Sequence, residues 1–349
     1  MALIPVTILT GFLGAGKTTL LKTILQERHG HKIAVIENEF GEESIDNELL
    51  VQDHSEQIVE MNNGCICCTV RGDLIIALSN LANQRREGKI DFERVVIETT
   101  GLANPGPVAQ TFFLDDEVAS TYRLDAVITV VDAKHGLMQL EKHEEAQRQV
   151  GFADRLLLSK TDLVSAQEKE KLVCRLVSMN PRASITPSDF GKAALDEILD
   201  IRGFNLNDKL EIDPAFLEAH HGHDHDHDRD HEHEHHCDEH CTHDHGHDHH
   251  TQRVSAFVFR ADRPFDVAKL DEFLGGLIEV YGTRMLRYKG VLWMDGADSK
   301  VVFQGVHQTM GSDIGAPWAE KEIRSSKIVF IGEDLPETTF IRGLEQCLV

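Results

Sequence analysis

Apolar and polar positions alternate along this chain in two distinct regimes. In the first two hundred residues, short apolar runs recur: residues 3–9, Lys32–Glu37, Gln57–Met61, Arg94–Glu98, Asp125–Val131 and Arg155–Leu158. Several are β-branched and too short for helices, so they predict buried strands. Between them lie stretches with helical spacing, at Lys17–Arg28, Asp73–Arg86, Leu137–Gln149 and Ala166–Met179. Strand alternating with helix predicts a mainly parallel sheet covered on both faces, an α/β domain over residues 1–205. From Arg253 the order changes. Strands at Val254–Phe259, Gly290–Met294, Lys300–Phe303 and Lys327–Ile331, with helices at Val267–Tyr281 and Thr338–Cys347, predict a small α+β domain over residues 253–349.

The intervening residues 206–252 follow neither pattern. Residues 219–250 hold fifteen of the chain's 21 histidines, interleaved with ten acids and one arginine. Such a stretch has too few apolar groups to build a core and reads as a linker or a metal-ordered arm. His223, His225, His227, His231, His233 and His235, with Cys237 and Cys241, are its candidate ligands, and imidazole suits zinc, nickel and copper.

Composition narrows the function. The 349 residues carry a formal net charge of −24. That argues against a nucleic-acid partner, whose phosphates need Lys and Arg, and against an anionic membrane. No run reaches the roughly 18 apolar residues of a spanning helix. The apolar start, Met1 to Gly16, lacks the basic flank of a signal peptide. Seven cysteines with no secretion signal favour metal binding over disulfides, and the expected compartment is the cytoplasm.

The strongest chemical signal is Gly11–Thr18, which fits G-x-x-x-x-G-K-[ST] between a strand and a helix. This is the P-loop of an NTPase domain. Gly11, Gly14, Ala15 and Gly16 let backbone N–H groups face the phosphates, and the helix N-terminus adds its positive end. Lys17 can neutralise the β- and γ-phosphates, Thr18 can hold Mg²⁺, and Thr19 can reach the α-phosphate. Glu98 ends a buried strand, where a carboxylate can hold Mg²⁺ or its waters, and Gly101 can donate its N–H to the γ-phosphate. Ser159-Lys160-Thr161-Asp162 closes another strand. There the Asp162 carboxylate can accept both guanine donors, which selects GTP, and the Lys160 stem can lie over the base. Many GTPases have Asn in place of Ser159, so the brace between base loop and P-loop is expected to be partial. Leu102 follows Gly101, so no side chain is identified that positions the attacking water.

Cys65, Cys67 and Cys68 crowd three thiols behind a Gly turn. Thiolates favour zinc, which takes about four ligands, so two cysteines completed by Glu37 or Glu42 are the expected set. A redox pair is the minor alternative.

Together these motifs resemble the CobW-type P-loop GTPases, and within them the YjiA-like bacterial branch. The likeness rests on Gly11–Thr18, the segments 37–42 and 64–68, Glu98–Gly101 and Lys160–Asp162, and it runs from residue 4 to the end apart from the His-rich stretch. It implies a GTP-hydrolysing zinc metallochaperone that serves client metalloproteins, with GTP, Mg²⁺ and Zn²⁺ as ligands. It also implies a C-terminal domain used in partner docking. A GTP-gated zinc store and a chaperone for cobalt or nickel remain alternatives, and oligomerisation is left open. Trp293 and Trp318 are expected in the core, and His135, His143, His307 and Cys174 in structural roles. His29 and His31 are expected at an exposed helix end.

Overall fold

A computed structural model of the chain describes residues 3–26, 31–37, 70–194, 198–204, 253–319 and 322–349. Six strands form the first sheet: β1 (Ile4–Thr10), β2 (Ile33–Glu37), β3 (Arg94–Glu98), β4 (Tyr122–Asp132), β5 (Arg155–Ser159) and β6 (Ser184–Pro187). They lie in the order β2-β3-β1-β4-β5-β6, and all are parallel. Parallel strands need helical crossovers that cover both faces, which is why β1, β3 and β5 read as continuous apolar runs. The crossovers are α1 (Lys17–Gln26), α2 (Val70–Arg86), α3 (Pro105–Leu114), α4 (Asp116–Thr121), α5 (Gly136–Lys142), α6 (Glu144–Phe152) and α7 (Ala166–Met179). Asn104 caps α3 ahead of Pro105, and Ser165 with Glu168 forms a complete capping box on α7.

The second sheet is antiparallel: β7 (Val254–Ala261), β8 (Met285–Leu292), β9 (Ser299–Val306), β10 (Thr309–Pro317) and β11 (Ser326–Glu333), ordered β10-β9-β8-β11-β7. Helices α8 (Val267–Tyr281) and α9 (Glu337–Gln346) cover one face. Phe257, Phe303, Phe330 and Phe340 pack there. Period-two alternation sends Val254, Ala256, Val329 and Ile331 to the other face, where they join the core of the first domain. The two sheets therefore share one continuous apolar interior.

Several expectations shift. The helix expected over Leu137–Gln149 is two helices, broken at His143, whose extended backbone ends α5 and starts α6. The strand expected at Gly290–Met294 is β8, which begins five residues earlier. Two strands had no sequence signal. β10 is an edge strand with mostly exposed side chains, and β6 has four residues. Trp293 and Trp318 are only half-buried, and the Lys300 ammonium lies 4.9 Å from the Trp318 ring centre. The strand expected at Gln57–Met61, like His29, lies outside the described residues. His31 is half-exposed, with Nδ1 3.7 Å from Glu93. No helix among the described residues is long and apolar enough to cross a membrane.

Candidate nucleotide and metal site

In an open parallel sheet, ligands bind beyond the C-terminal strand ends where strand order reverses. Here β1 sits at that reversal, between β3 and β4. Thr10, Glu37, Glu98, Asp132 and Ser159 are the last residues of β1, β2, β3, β4 and β5. Among the described residues, one edge of the sheet thus gathers Glu37, Glu98 and Ser159, which the sequence marked, beside the loop that follows β1.

The loop after β1 is shaped by its glycines. Gly11 has φ 145°, and a Cβ there would lie 2.3 Å from the Val130 carbonyl oxygen, so no side chain fits. Gly16 also has positive φ, at 103°. Lys17 opens α1 and is only 8% exposed. Its ammonium donates to the Gly11 carbonyl at 2.8 Å and reaches that of Phe12 at 3.5 Å, so it spans the loop. Burial pulls the Lys17 pKa below its ordinary value, against the opposing pull of Glu98. Thr18 Oγ1 donates to Glu98 Oε1 at 2.9 Å, which joins the start of α1 to the end of β3. Thr19 is exposed, and its carbonyl accepts from Thr23. Gly101 is pressed on the phosphate loop: a Cβ there would lie 2.7 Å from the Leu13 nitrogen.

The base loop is braced by side chains. Ser159 Oγ donates to the Ala15 carbonyl at 2.6 Å, so serine does tie this loop to the phosphate loop. Lys160 takes a left-handed backbone, φ 57°. Its ammonium donates to the Gly14 carbonyl at 2.8 Å and to Asp132 Oδ2 at 2.7 Å. Asp162 follows, with an exposed carboxylate.

Two residues here escaped the sequence reading. Asp132 accepts from Lys160, from the backbone of Lys134 and His135, and pairs with His135 Nδ1 at 3.0 Å. It carries the same signal as Glu98, an acid ending a buried strand, and stands one residue past the apolar run Asp125–Val131. Asp189 accepts from the Thr161 N–H at 2.6 Å and from its hydroxyl, and so fixes the base loop from the far side. Its signal was hidden because β6, the short strand before it, is unreadable.

Burial raises the Asp132 carboxyl, but the bonds from Lys160 and His135 outweigh it and hold the group below its ordinary pKa of 3.8. A depressed carboxyl contributes stability that is present above the unfolded pKa and lost as pH falls through the folded one. Asp132→Asn should therefore be less stable than the parent at pH 7. The gap should close as pH falls below about 4. Urea midpoints measured from pH 7 to pH 3 test this; a pH-independent gap would refute the charge argument.

Of the candidate metal ligands, Glu37 is described. It ends β2, half-exposed, in register with Glu98 on β3. Glu42, Cys65, Cys67, Cys68, the histidines from His223 to His235, Cys237 and Cys241 lie outside the described residues. Among the described residues, no group of three His, Cys, Asp or Glu is placed to hold a metal ion. His143 stacks on Phe12 with ring centres 4.6 Å apart, His307 packs against Phe152, and Cys174 is exposed on α7.

Comparison with known proteins agrees with this fold. Residues 5–187 match the family model for the CobW/HypB/UreG nucleotide-binding domain, and residues 254–348 match the CobW C-terminal domain. The chain is 41% identical to the zinc chaperone YjiA of Escherichia coli, over 96% of this chain and 95% of that protein. It is 33% identical to the zinc-regulated GTPase metalloprotein activator 1 of Schizosaccharomyces pombe, over 95% and 83%. The crystal structure of Zn(II)-bound YjiA GTPase from E. coli superposes over both whole chains with a TM-score of 0.78 at 35% identity. The protein is a member of the CobW/HypB/UreG family of P-loop nucleotide-binding proteins, and it carries that family's CobW C-terminal domain.

Proposed function

We propose that this protein is a GTP-hydrolysing zinc chaperone that couples its nucleotide cycle to the capture and release of zinc for client metalloproteins. The names of its relatives support zinc as cargo and GTP as fuel. The observation that carries the coupling is the register of β2 and β3. Glu37, a candidate zinc ligand, stands beside Glu98, the carboxylate at the phosphate site, on strands that lie about 4.8 Å apart.

Magnesium fits the phosphate side of that pair. Thr18 and Glu98 meet there and offer a hydroxyl and a carboxylate, the hard oxygens this ion takes. When bound, it would neutralise charge building on the phosphates. The chain's own groups do the rest. Lys17 supplies a positive charge from a buried position, where electrostatic attraction is stronger than in water. Gly101, pressed on the phosphate loop, would offer its N–H to a γ-phosphate. Ser159, Lys160 and Asp132 hold the base loop so that Asp162 meets guanine. Leu102, exposed after Gly101, offers no group to orient water, so slow unassisted turnover is expected.

Zinc would be held by two thiolates from Cys65, Cys67 and Cys68, with Glu37 or Glu42 completing the set. The histidine arm would gather zinc for it, and its capture should weaken as imidazoles protonate near pH 6. A competition titration with zinc, cobalt and nickel tests the whole reading. Zinc affinity is expected to differ between the GDP state and a non-hydrolysable GTP state, and to fall in both when Cys67 and Cys68 become serine. Equal affinities in the two states would favour a store over a chaperone, and a preference for nickel or cobalt would replace zinc as cargo.

A further inference from the structure

Three consecutive residues of α6 bind three different parts of the molecule. Gln149 is 1% exposed, and its Nε2 donates to the carbonyls of Gly101 at 3.1 Å and Ala103 at 3.0 Å. Only the amide NH₂ can donate to two carbonyls, so the side-chain orientation is settled. Arg148 pairs with Glu333, the last residue of β11. Gln147 Oε1 accepts from the N–H groups of Arg253 and Val254, both at 3.1 Å, where β7 begins. Glu333 and Val254 are register partners, so α6 grips the paired ends of two strands in the C-terminal sheet. The contact is tight: a Cβ on Gly151 would lie 2.7 Å from Leu286 and 3.1 Å from Val254. At its start, α6 meets the phosphate loop through His143 and Phe12.

We infer that Gln149 is the positioning residue of the Gly101 loop, and that α6 carries the nucleotide state from that loop to the C-terminal sheet. The proposal rests on the reading of Gly101 as the γ-phosphate contact. The loop presents no side-chain anchor of its own at Gly101, and its carbonyls need donors when buried. Gln149 provides them from a helix that α3, β4 and the C-terminal sheet hold in place. Thr129 on β4 donates to the Gln149 carbonyl, which fixes the helix at that level. Gln149 Oε1 is buried without a hydrogen-bond partner among the described residues. A shift of the loop that brought a backbone N–H to this atom would give the amide a second satisfied arrangement. Two discrete arrangements of one buried amide are what a transmitting element requires.

The test uses the full chain. Gln149→Leu removes both donors at nearly constant volume. It should weaken a non-hydrolysable GTP analogue about tenfold relative to GDP, the value of one to two ordinary hydrogen bonds. In the parent, hydrogen exchange at residues 253–256 and 333–334 should differ between the two nucleotide states, and Gln149→Leu should erase the difference. Arg148→Ala, on the half-exposed side of α6, should keep the affinity ratio and still lose the exchange difference. It decides the transmission even if Gln149→Leu does not fold. Gly101→Ala separates the premise from the proposal. If it shifts the affinity ratio and Gln149→Leu does not, Gln149 is not the positioning residue. If neither shifts it, the reading of Gly101 fails as well. An exchange difference that persists in either α6 variant overturns the transmission.

Discussion

Lys17→Ala is expected to lower kcat/KM for GTP by a factor of about 10²–10³, the usual loss when one fixed charge-stabilising donor is removed from a preorganised site. The reason lies in where the ammonium is held. Lys17 is buried, donates to Gly11 at 2.8 Å and spans the loop, so its charge faces any phosphate seated there. Burial lowers its pKa, and Glu98 partly restores it. The folded chain thus keeps a cation in a costly place, which points to use rather than stability. Alanine removes the charge and leaves Glu98 without that neighbour. Phosphate release under single-turnover conditions, with a thermal melt to show that the fold persists, measures the effect. A loss below threefold would remove Lys17 from the phosphate site. Lysine replaced by arginine should recover little, because the planar guanidinium does not reproduce a point charge bent over two carbonyls.

Asp154→Ala should cost about 3–5 kcal/mol of unfolding free energy, the range for breaking a buried ion pair from one side. Asp154 begins the turn into β5 and lies under the C-terminal sheet. Its carboxylate accepts from the Val127 N–H at 2.9 Å and from both terminal nitrogens of Arg287, at 3.2 and 2.9 Å. Arg182 approaches to 3.8 Å, and the side chains of Asp154, Arg287 and Arg182 are 3%, 2% and 9% exposed. Burial and the like charge of Arg287 push Arg182 down to about 10, with Asp154 opposing them. Without Asp154, two guanidiniums would face each other in an apolar interior. Stacking of Arg287 on Phe204, 3.9 Å from the ring centre, cannot offset that. Urea unfolding measures the loss. Asp91→Ala, which breaks an exposed pair with Lys32, serves as the control and should leave the midpoint unchanged. An Asp154 variant as stable as that control would show that apolar packing alone joins the domains.

Legibility in this chain follows the range of the interactions. Helices α7 and α8 coincide with their expected spans, because caps at Ser165 and Asp266 and an apolar stripe all lie within one turn or one face. The break between α5 and α6 was missed. Apolar spacing runs through it, and what stops the helix is His143, whose ring stacks on Phe12 more than a hundred residues away. Strand β10 left little trace because an edge strand with exposed side chains needs no apolar alternation.

The site divides in the same way. Its local chemistry was readable: a glycine loop before a helix, an acid at a strand end and a Lys-x-Asp turn. Each is a local demand of phosphate or guanine on a few adjacent residues, so the sequence by itself determined the nucleotide class, and its strand and helix pattern the α/β sheet with a smaller α+β unit after it. Tertiary structure alone decided the partnerships. Nothing near Glu37 in the chain says that it lies beside Glu98, and nothing near Lys160 says that Asp132 holds it. Nor does the sequence around Gln149 disclose the two carbonyls of the Gly101 loop. Those pairs form because a parallel sheet brings distant strand ends to one edge and a packed helix reaches across it, and such long-range geometry leaves no period or spacing for a reader to find.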